Sequence, residues 1–457
     1  MKRVDVAVVG GGPAGTSAVW EAARNGADAL LLEKGVPRAD RDGLGPDSTD
    51  AAGMLDYWID IMDVDPGDLP DGVVLQELDC VEFIGPTETA TMYATGIESS
   101  YDRFGYTFQR ARMDDFLREQ AEAAGATYDV GVSVRGVDTD LDAEYRHTVH
   151  LADGEDVEAK YVVLADGPQR QVSMGVLDSF LPEHRAASDV MSPPKANHIA
   201  YQEHREFPEG AFEDDRLKFW WGWMPGETAY PWVFPNDGNV ARVGLTMPIG
   251  MTLDDVEDPE AYRLLDPEDE SLPKAGEYIE RLLERVYGDE YDVAADFPRV
   301  EDRGKSGGTE TYPISSTRPI DSPVGAGIAV AGGAMGTTSA FHEGGYHVAV
   351  RSGKIAGELA ATDSLERYND EWRRAIGTEL IRNVAFADLV AEYDPDDWDH
   401  TFSLASRMLG DGSDGKLLSR RLGAGPGALK LLGKYKWRKR SLKKDGYVQI
   451  TEDEYRV

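Results

Sequence analysis

Val4-Asp5-Val6-Ala7-Val8-Val9-Gly10-Gly11-Gly12-Pro13-Ala14-Gly15 decides the fold of this 457-residue chain. The unbroken apolar run at residues 6–9 reads as a strand buried on both faces, as in a parallel sheet. Glycines follow at the spacing GxGxxG, at Gly10, Gly12 and Gly15, and open a helical pattern with Ala14, Ala18, Val19, Ala22 and Ala23 on one side. Gly10 allows a tight turn, Gly12 lets backbone approach a pyrophosphate, and Gly15 lets helix pack on strand. Pro13 and Ala14 start the helix, whose free N–H groups and macrodipole favour an anion. A second strand pattern, residues 27–32, ends at Glu33-Lys34. It lies about 20 residues on, where a carboxylate can hold ribose hydroxyls. Strand, turn, helix and acid together predict a dinucleotide-binding unit.

The 84 acidic residues outnumber the 47 Lys and Arg, giving a formal charge of −37. The sequence pI is near 4.5, and the acid is spread along the chain. That balance argues against nucleic acid as a general partner. With 41% hydrophobic residues the chain is too apolar for disorder. Its composition resembles that of proteins from salt-loving archaea. The single cysteine, Cys80, excludes an intrachain disulfide and a cysteine-rich metal site, and no metal is expected. The first strand starts at the N-terminus and leaves no room for a signal peptide. The longest uncharged run, residues 322–341, is too rich in Gly, Ser and Thr for a good membrane span. A cytoplasmic protein is expected, with peripheral attachment to the inner membrane surface left open.

Residues 34–50, rich in Gly, Pro, Asp and Arg, read as a loop near the cofactor, and residues 51–62 read as helical. Residues 73–108 alternate apolar and polar, predicting strands of a second sheet. An amphipathic helix is expected at residues 110–125, with Met113, Phe116, Leu117, Ala121 and Ala124 inward. Another buried strand is expected at residues 161–165. Aromatic residues then gather at Phe219, Trp220, Trp221, Trp223, Tyr230, Trp232 and Phe234. Residues 328–331 read as a return strand into the first unit, and helices are expected beyond Gly344. The tail reverses charge, with eight cations between Lys430 and Lys444. An anionic membrane surface and the protein's own acidic face are the two partners such a segment fits.

Four separated stretches resemble one family pattern. They are the dinucleotide turn with Glu33; Arg110-Ala111-Arg112-Met113-Asp114 with Leu117; Ala165-Asp166-Gly167; and residues 332–336 leading into Glu343-Gly344 and Ser352-Gly353-Lys354. Together they resemble the two-domain FAD fold of the hydroxylase-type flavoproteins, up to about residue 360. Tyr230-Pro231-Trp232-Val233-Phe234-Pro235, followed by Gly238 and Val243-Gly244, is similar to the signature of geranylgeranyl reductases, which reduce isoprenoid double bonds with FAD. The resemblance implies an α/β fold: a discontinuous Rossmann-like FAD domain at residues 1–75, 105–175 and 300–360. An antiparallel-sheet substrate domain is expected at 76–104 and 176–299, and a helical region with the basic tail at 361–457.

Cofactor contacts are implied at Gly10, Gly12, Pro13, Ala14, Gly15, Glu33, Lys34, Arg110, Asp166, Gly167, Gly332, Gly333, Gly336 and Gly344. Tyr230, Trp232 and Phe234 fall on one side of a strand and are implied to line a prenyl slot. Two positions depart from the pattern. Gly333 stands where the family usually has an Asp that contacts the flavin ribityl chain, a loss of about 1.5–3 kcal/mol of hydrogen bonding. Residues 34–50 lack the cysteine that many members carry there.

Saturating an alkene needs a hydride on one carbon and a proton on the other. His342 and Glu343, beside the Gly-rich loop, are the candidate proton donors by location. No second strand–GxGxxG–helix unit is read for NADPH, so electrons are expected from NADPH bound without that motif, from ferredoxin or from a deazaflavin. The substrate is expected to be a prenyl lipid or prenyl quinone. A flavin monooxygenase, a quinone-linked dehydrogenase and a non-catalytic flavin or prenyl-lipid binding protein are the competing functions.

Overall fold

The computed structural model describes residues 1–35, 53–304, 307–409 and 425–457. Its first sheet is mostly parallel and is centred on β1 (Lys2–Val9). β2 (Ala29–Glu33) and β11 (Val157–Leu164) flank β1 in parallel, and β8 (Thr127–Val130) extends the sheet beyond β2. β10 (His147–Leu151) and β9 (Val134–Thr139) continue antiparallel from the start of β11. β17 (Ile328–Val330) pairs in parallel with its end. Val6, Ala7 and Val8 have no exposed surface. Burial on both faces explains the unbroken apolar run, each valine contributing about 1.5–3 kcal/mol.

α1 (Pro13–Arg24) follows the turn, and α8 (Tyr346–Ala361) crosses it at very short range. A Cβ on Gly353 would lie 1.9 Å from the Ala14 carbonyl oxygen, and one on Gly357 2.0 Å from that of Ala18. Helix backbones therefore touch directly, which brings the residues after 345 onto the dinucleotide turn. α3 (Arg110–Ala123) buries Met113, Phe116, Leu117 and Ala121 as its periodicity predicts, whereas Ala124 is its C-cap and half-buried.

The second sheet runs β16 (Thr309–Ile314), β12 (His198–Glu206), β15 (Val240–Pro248), β14 (Tyr230–Pro235), β13 (Arg216–Trp220), β5 (Cys80–Ile84) and β6 (Thr89–Met92). All pairs are antiparallel except β13 with β5. One face packs on α6 (Ala275–Tyr287), where Val233 and Val243 meet Ile279, Leu282 and Leu283. The other carries Tyr230, Trp232 and Phe234 in a separate apolar cluster. The strand's alternation is thus shared between two interiors.

Several segments differ from expectation. Residues 53–55 form the strand β3 (Gly53–Leu55), and only then does α2 (Asp56–Met62) begin. β3 is short and edge-like, so its helical composition misleads. Residues 73–108 divide. β4 (Val74–Leu78) and β7 (Gly105–Phe108) join β3 in a three-stranded sheet, while β5 and β6 enter the large one. β16 pairs in the second sheet although it lies within residues 300–360. Of the loop expected at 34–50, residues 36–50 lie outside the described residues.

Of four further helices, α4 (Ser173–Phe180) meets the edge strand β9 and α10 (Pro395–Leu409) meets β6, while α5 (Ala187–Val190) packs on α4 and α7 (Val293–Asp296) on α6. α9 (Tyr368–Val390) and α11 (Gly425–Asp445) pack together: Tyr435 stacks on Phe386 at 4.6 Å, and Arg438 pairs with Asp388 at 2.7 Å. The basic tail therefore lies against the body of the protein. Among the described residues no helix is long and apolar enough to cross a membrane. Residues 328–330 of the long uncharged run are buried as β17.

Candidate active site

β1 ends in the turn that the glycine spacing predicts. Gly10 has φ +103°, and a Cβ there would lie 2.3 Å from the Ala165 carbonyl oxygen. A Cβ on Gly15 would meet the Gly10 oxygen at 1.8 Å, whereas one on Gly12 would meet nothing within 4 Å. No side chain caps the start of α1. Open space over Gly12 beside uncapped N–H groups is a cradle suited to a pyrophosphate. Glu33, at the end of β2, accepts from the Gly11 and Gly35 amides at 2.5 Å each, and Lys34 is exposed. Tyr128 ties the turn down by donating to the Gly11 carbonyl at 3.1 Å.

From this turn a cleft runs past Gly12, Pro13, Ala14, Arg110, Gly167 and Gly333. Arg110 reaches both oxygens of Asp114 at 3.0 Å and lies 4.6 Å over the Tyr346 ring. Asp166 is otherwise engaged. Its carboxylate accepts from the Val172 and Ser173 amides, 2.7 and 3.0 Å, and from the Ser173 hydroxyl, which secures the start of α4. Gly167, with φ +76°, is the half of that pair that faces the cleft. Gly332 donates to Ser352 Oγ at 3.0 Å, and Gly336 turns the chain where a Cβ would strike the Arg318 carbonyl. A Cβ on Gly333 would rest 3.3 Å from Pro168 Cδ.

Sequence reasoning missed Arg170. Its guanidinium is wholly buried and is held by carbonyls of Ala334, Pro168, Pro194 and Gly333 and by Ser315 Oγ, at 2.8–3.4 Å. It thereby clamps together the Asp-Gly turn and the Gly-rich turn, two walls of the cleft. Burial pushes it down to about 10, with Asp166 opposing. Arg170→Met should strand those acceptors and lower the bound FAD per chain, read from the visible absorbance of purified protein.

The cleft opens into a second cavity of about 550 Å³, within the range of ligand sites. Ile314, Glu343, Gly345 and Tyr346 line both. The larger cavity is walled by Trp221, Tyr230, Trp232, Phe234 and Phe341, with Gly344 beside them. The three residues named from the strand alternation are therefore brought together on one wall.

Glu343 sits at the junction. It is buried, with φ +57°, and accepts from Thr228 Oγ1 at 2.9 Å and from Thr246 Oγ1. Thr228 also has positive φ, +53°, rare for a β-branched residue. Two bonded residues in that region store roughly 1–3 kcal/mol each, as functional sites do. Burial pushes the Glu343 carboxyl above the ordinary range, against His198 and the two hydroxyls. His198 Nε2 donates to the Glu227 carbonyl at 3.1 Å, and its Nδ1 lies 3.5 Å from Glu343 Oε1.

His342 differs. Its Nδ1 accepts from the Gly344 amide at 3.3 Å, its ring stacks on Trp58, and burial pushes its imidazole down to about 4. It is neutral near pH 7. Among the described residues no cluster of His, Cys, Asp and Glu is placed to hold a metal.

The family model described as glucose inhibited division protein A matches residues 5–53. The chain is 25% identical over 408 residues to digeranylgeranylglycerophospholipid reductase 2 of Methanococcoides burtonii, covering 86% of each. It is 24% identical over 441 residues to the digeranylgeranylglycerophospholipid reductase of Methanocaldococcus jannaschii, covering 92% of this chain and 94% of that one. A solved structure, a geranylgeranyl bacteriochlorophyll reductase-like protein from Thermoplasma acidophilum, superimposes with a TM-score of 0.66 at 20% identity. The alignment covers 97% of this chain and 99% of that one. The chain is an FAD-dependent oxidoreductase, similar over most of its length to digeranylgeranylglycerophospholipid reductases.

Proposed function

We propose that this protein saturates carbon–carbon double bonds in geranylgeranyl-type lipid chains, with Glu343 as the proton donor. The observation that carries the reading is the passage from the dinucleotide cleft into an apolar cavity, with a buried carboxyl at the junction. Bound FAD supplies the hydride. Gly10, Gly12 and Gly15 shape the turn that would hold its pyrophosphate, and Gly167 and Gly333, which line the same cleft, would border the rest of the cofactor.

The aromatic wall orients an apolar chain and excludes water, so a reactive carbon meets no competing nucleophile. Burial favours the protonated form of Glu343 at the junction of cleft and cavity. When the proton passes to an alkene carbon, the carboxylate left behind is stabilised by Thr228 and Thr246, whose hydroxyls already point at it. Electrons are read as arriving from a separate donor; reduced ferredoxin and NADPH are the pair to compare.

Protein reduced with dithionite under argon and given a geranylgeranyl glycerol ether should yield product two mass units heavier per bond saturated. Unchanged lipid would end the reductase reading. Hydroxylated product with oxygen uptake would replace it with a monooxygenase.

A further inference from the structure

α11 bears eight Lys and Arg and one acid, in a chain of formal charge −37. Among the described residues its only ion pair is Arg438 with Asp388. The face carrying Tyr435 and Lys439, one turn apart, is the one turned inward. Tyr435 lines the apolar cavity, and Lys439 is half-buried with its ammonium 5.8 Å from the Tyr435 ring centre.

Arg382 of α9 also lines the cavity, and 21% of its side chain is exposed, which marks this wall as an opening. It pairs with Glu379 at 2.9 Å and donates to Tyr57 Oη at 3.1 Å. Glu379 already accepts from Tyr57 and Asn383 as well. Glu379 is thus already bound to Arg382, and Lys439 and Lys443, one helical turn apart, add two more cations on the same side of α11. Burial, Arg382 and Lys443 together push the Lys439 ammonium below the ordinary range, and only Glu379 opposes them. Crowded, partly desolvated cations are unfavourable unless an anion joins them.

We propose that Arg382, Lys439 and Lys443 bind the phosphate headgroup of the lipid whose chains fill the cavity. The inference rests on the prenyl-lipid reading of that cavity. It also gives the basic helix a role in the site: Tyr435 covers the chain while Lys439, four residues on, meets the head. A strongly acidic protein repels phosphate in general, so a local reversal of sign at the opening selects where the head enters.

The test is binding, without turnover, of two saturated diphytanylglycerol lipids in neutral detergent, one bearing a phosphate and one uncharged. Trp58, Trp221 and Trp232 line the cavity and report occupancy by fluorescence. The wild-type chain should bind the phosphate lipid about 10-fold more tightly, a preference that two or three charge-assisted contacts supply. Lys439→Gln should lose most of that preference and leave the uncharged lipid's Kd unchanged. Lys436→Gln, on the exposed side of the helix, should keep it. Equal Kd values for the two lipids in the wild-type chain would overturn the proposal. Equal losses in both variants would also overturn it, since that marks diffuse attraction to charged lipid. Neither lipid can be reduced, so failure of the reductase reading appears only in the product assay.

Discussion

Glu343→Gln should lower kcat by about 10²–10³-fold, the usual worth of a general acid, with KM and FAD content little changed. Gln keeps the size of the side chain and can accept from Thr228 and Thr246, but it has no proton to give. The pH profile separates this from a structural defect. Burial raises the Glu343 pKa, so the active, protonated form is lost as pH rises through that value. Wild-type kcat should fall along that limb, and the limb should vanish in the variant. Only the wild-type chain carries a pH-linked stability contribution at this position. A carboxyl whose folded pKa is raised stabilises the native state below its unfolded pKa, and that contribution disappears as pH rises through the folded value. Glu343→Gln should therefore be more resistant to urea than wild type above that pH and near parity below it. An unchanged kcat, with reduction of the lipid intact, would remove Glu343 from proton transfer.

Gly353→Ala should cost about 2–3 kcal/mol, the upper part of the range for overpacking a tight interior. The added methyl would stand 1.9 Å from the Ala14 carbonyl oxygen, backbone that cannot rotate away. α1 and α8 must separate, and α1 carries the dinucleotide turn. Urea midpoint and bound FAD should fall together. Gly433→Ala is the control, since a Cβ there meets nothing within 4 Å on an exposed stretch of α11. It should stabilise by about 0.4–1 kcal/mol by reducing unfolded-chain entropy. Gly353→Ala with full FAD and an unshifted midpoint would show that the helices have room to part.

The dinucleotide turn was legible because its causes are local. Gly10, Gly12 and Gly15 lie within six residues, and the apolar run before them needs only burial on two faces. The aromatic wall was legible for a similar reason, since alternation along β14 fixes which side Tyr230, Trp232 and Phe234 share. Glu343 could be named from its neighbourhood, but its environment could not. His198, Thr228 and Thr246 come from β12, the β13–β14 connection and β15, and they meet only through strand register. Arg170 gave no signal, because its partners are carbonyls, which every sequence supplies. At Asp166 the sequence showed the turn and not the second set of partners. An Asp beside Gly fits a cofactor turn, yet the amides of Val172 and Ser173 lie equally near. Arg382 and Tyr435 belong to helices whose sequence says nothing about which cavity they wall.

The order of strands in the first sheet sets a clock. β1 emerges first, but β17 and α8, which complete the cleft, end at Val330 and Ala361. At ~5–20 residues per second, synthesis leaves the turn without its partners for roughly 20–70 s. During that interval the glycine turn lacks the Gly-rich return turn and α8 that complete the cleft. The cleft is complete only once residue 361 has been made, so chains stopped before Ala361 should bind no FAD, read as loss of visible absorbance.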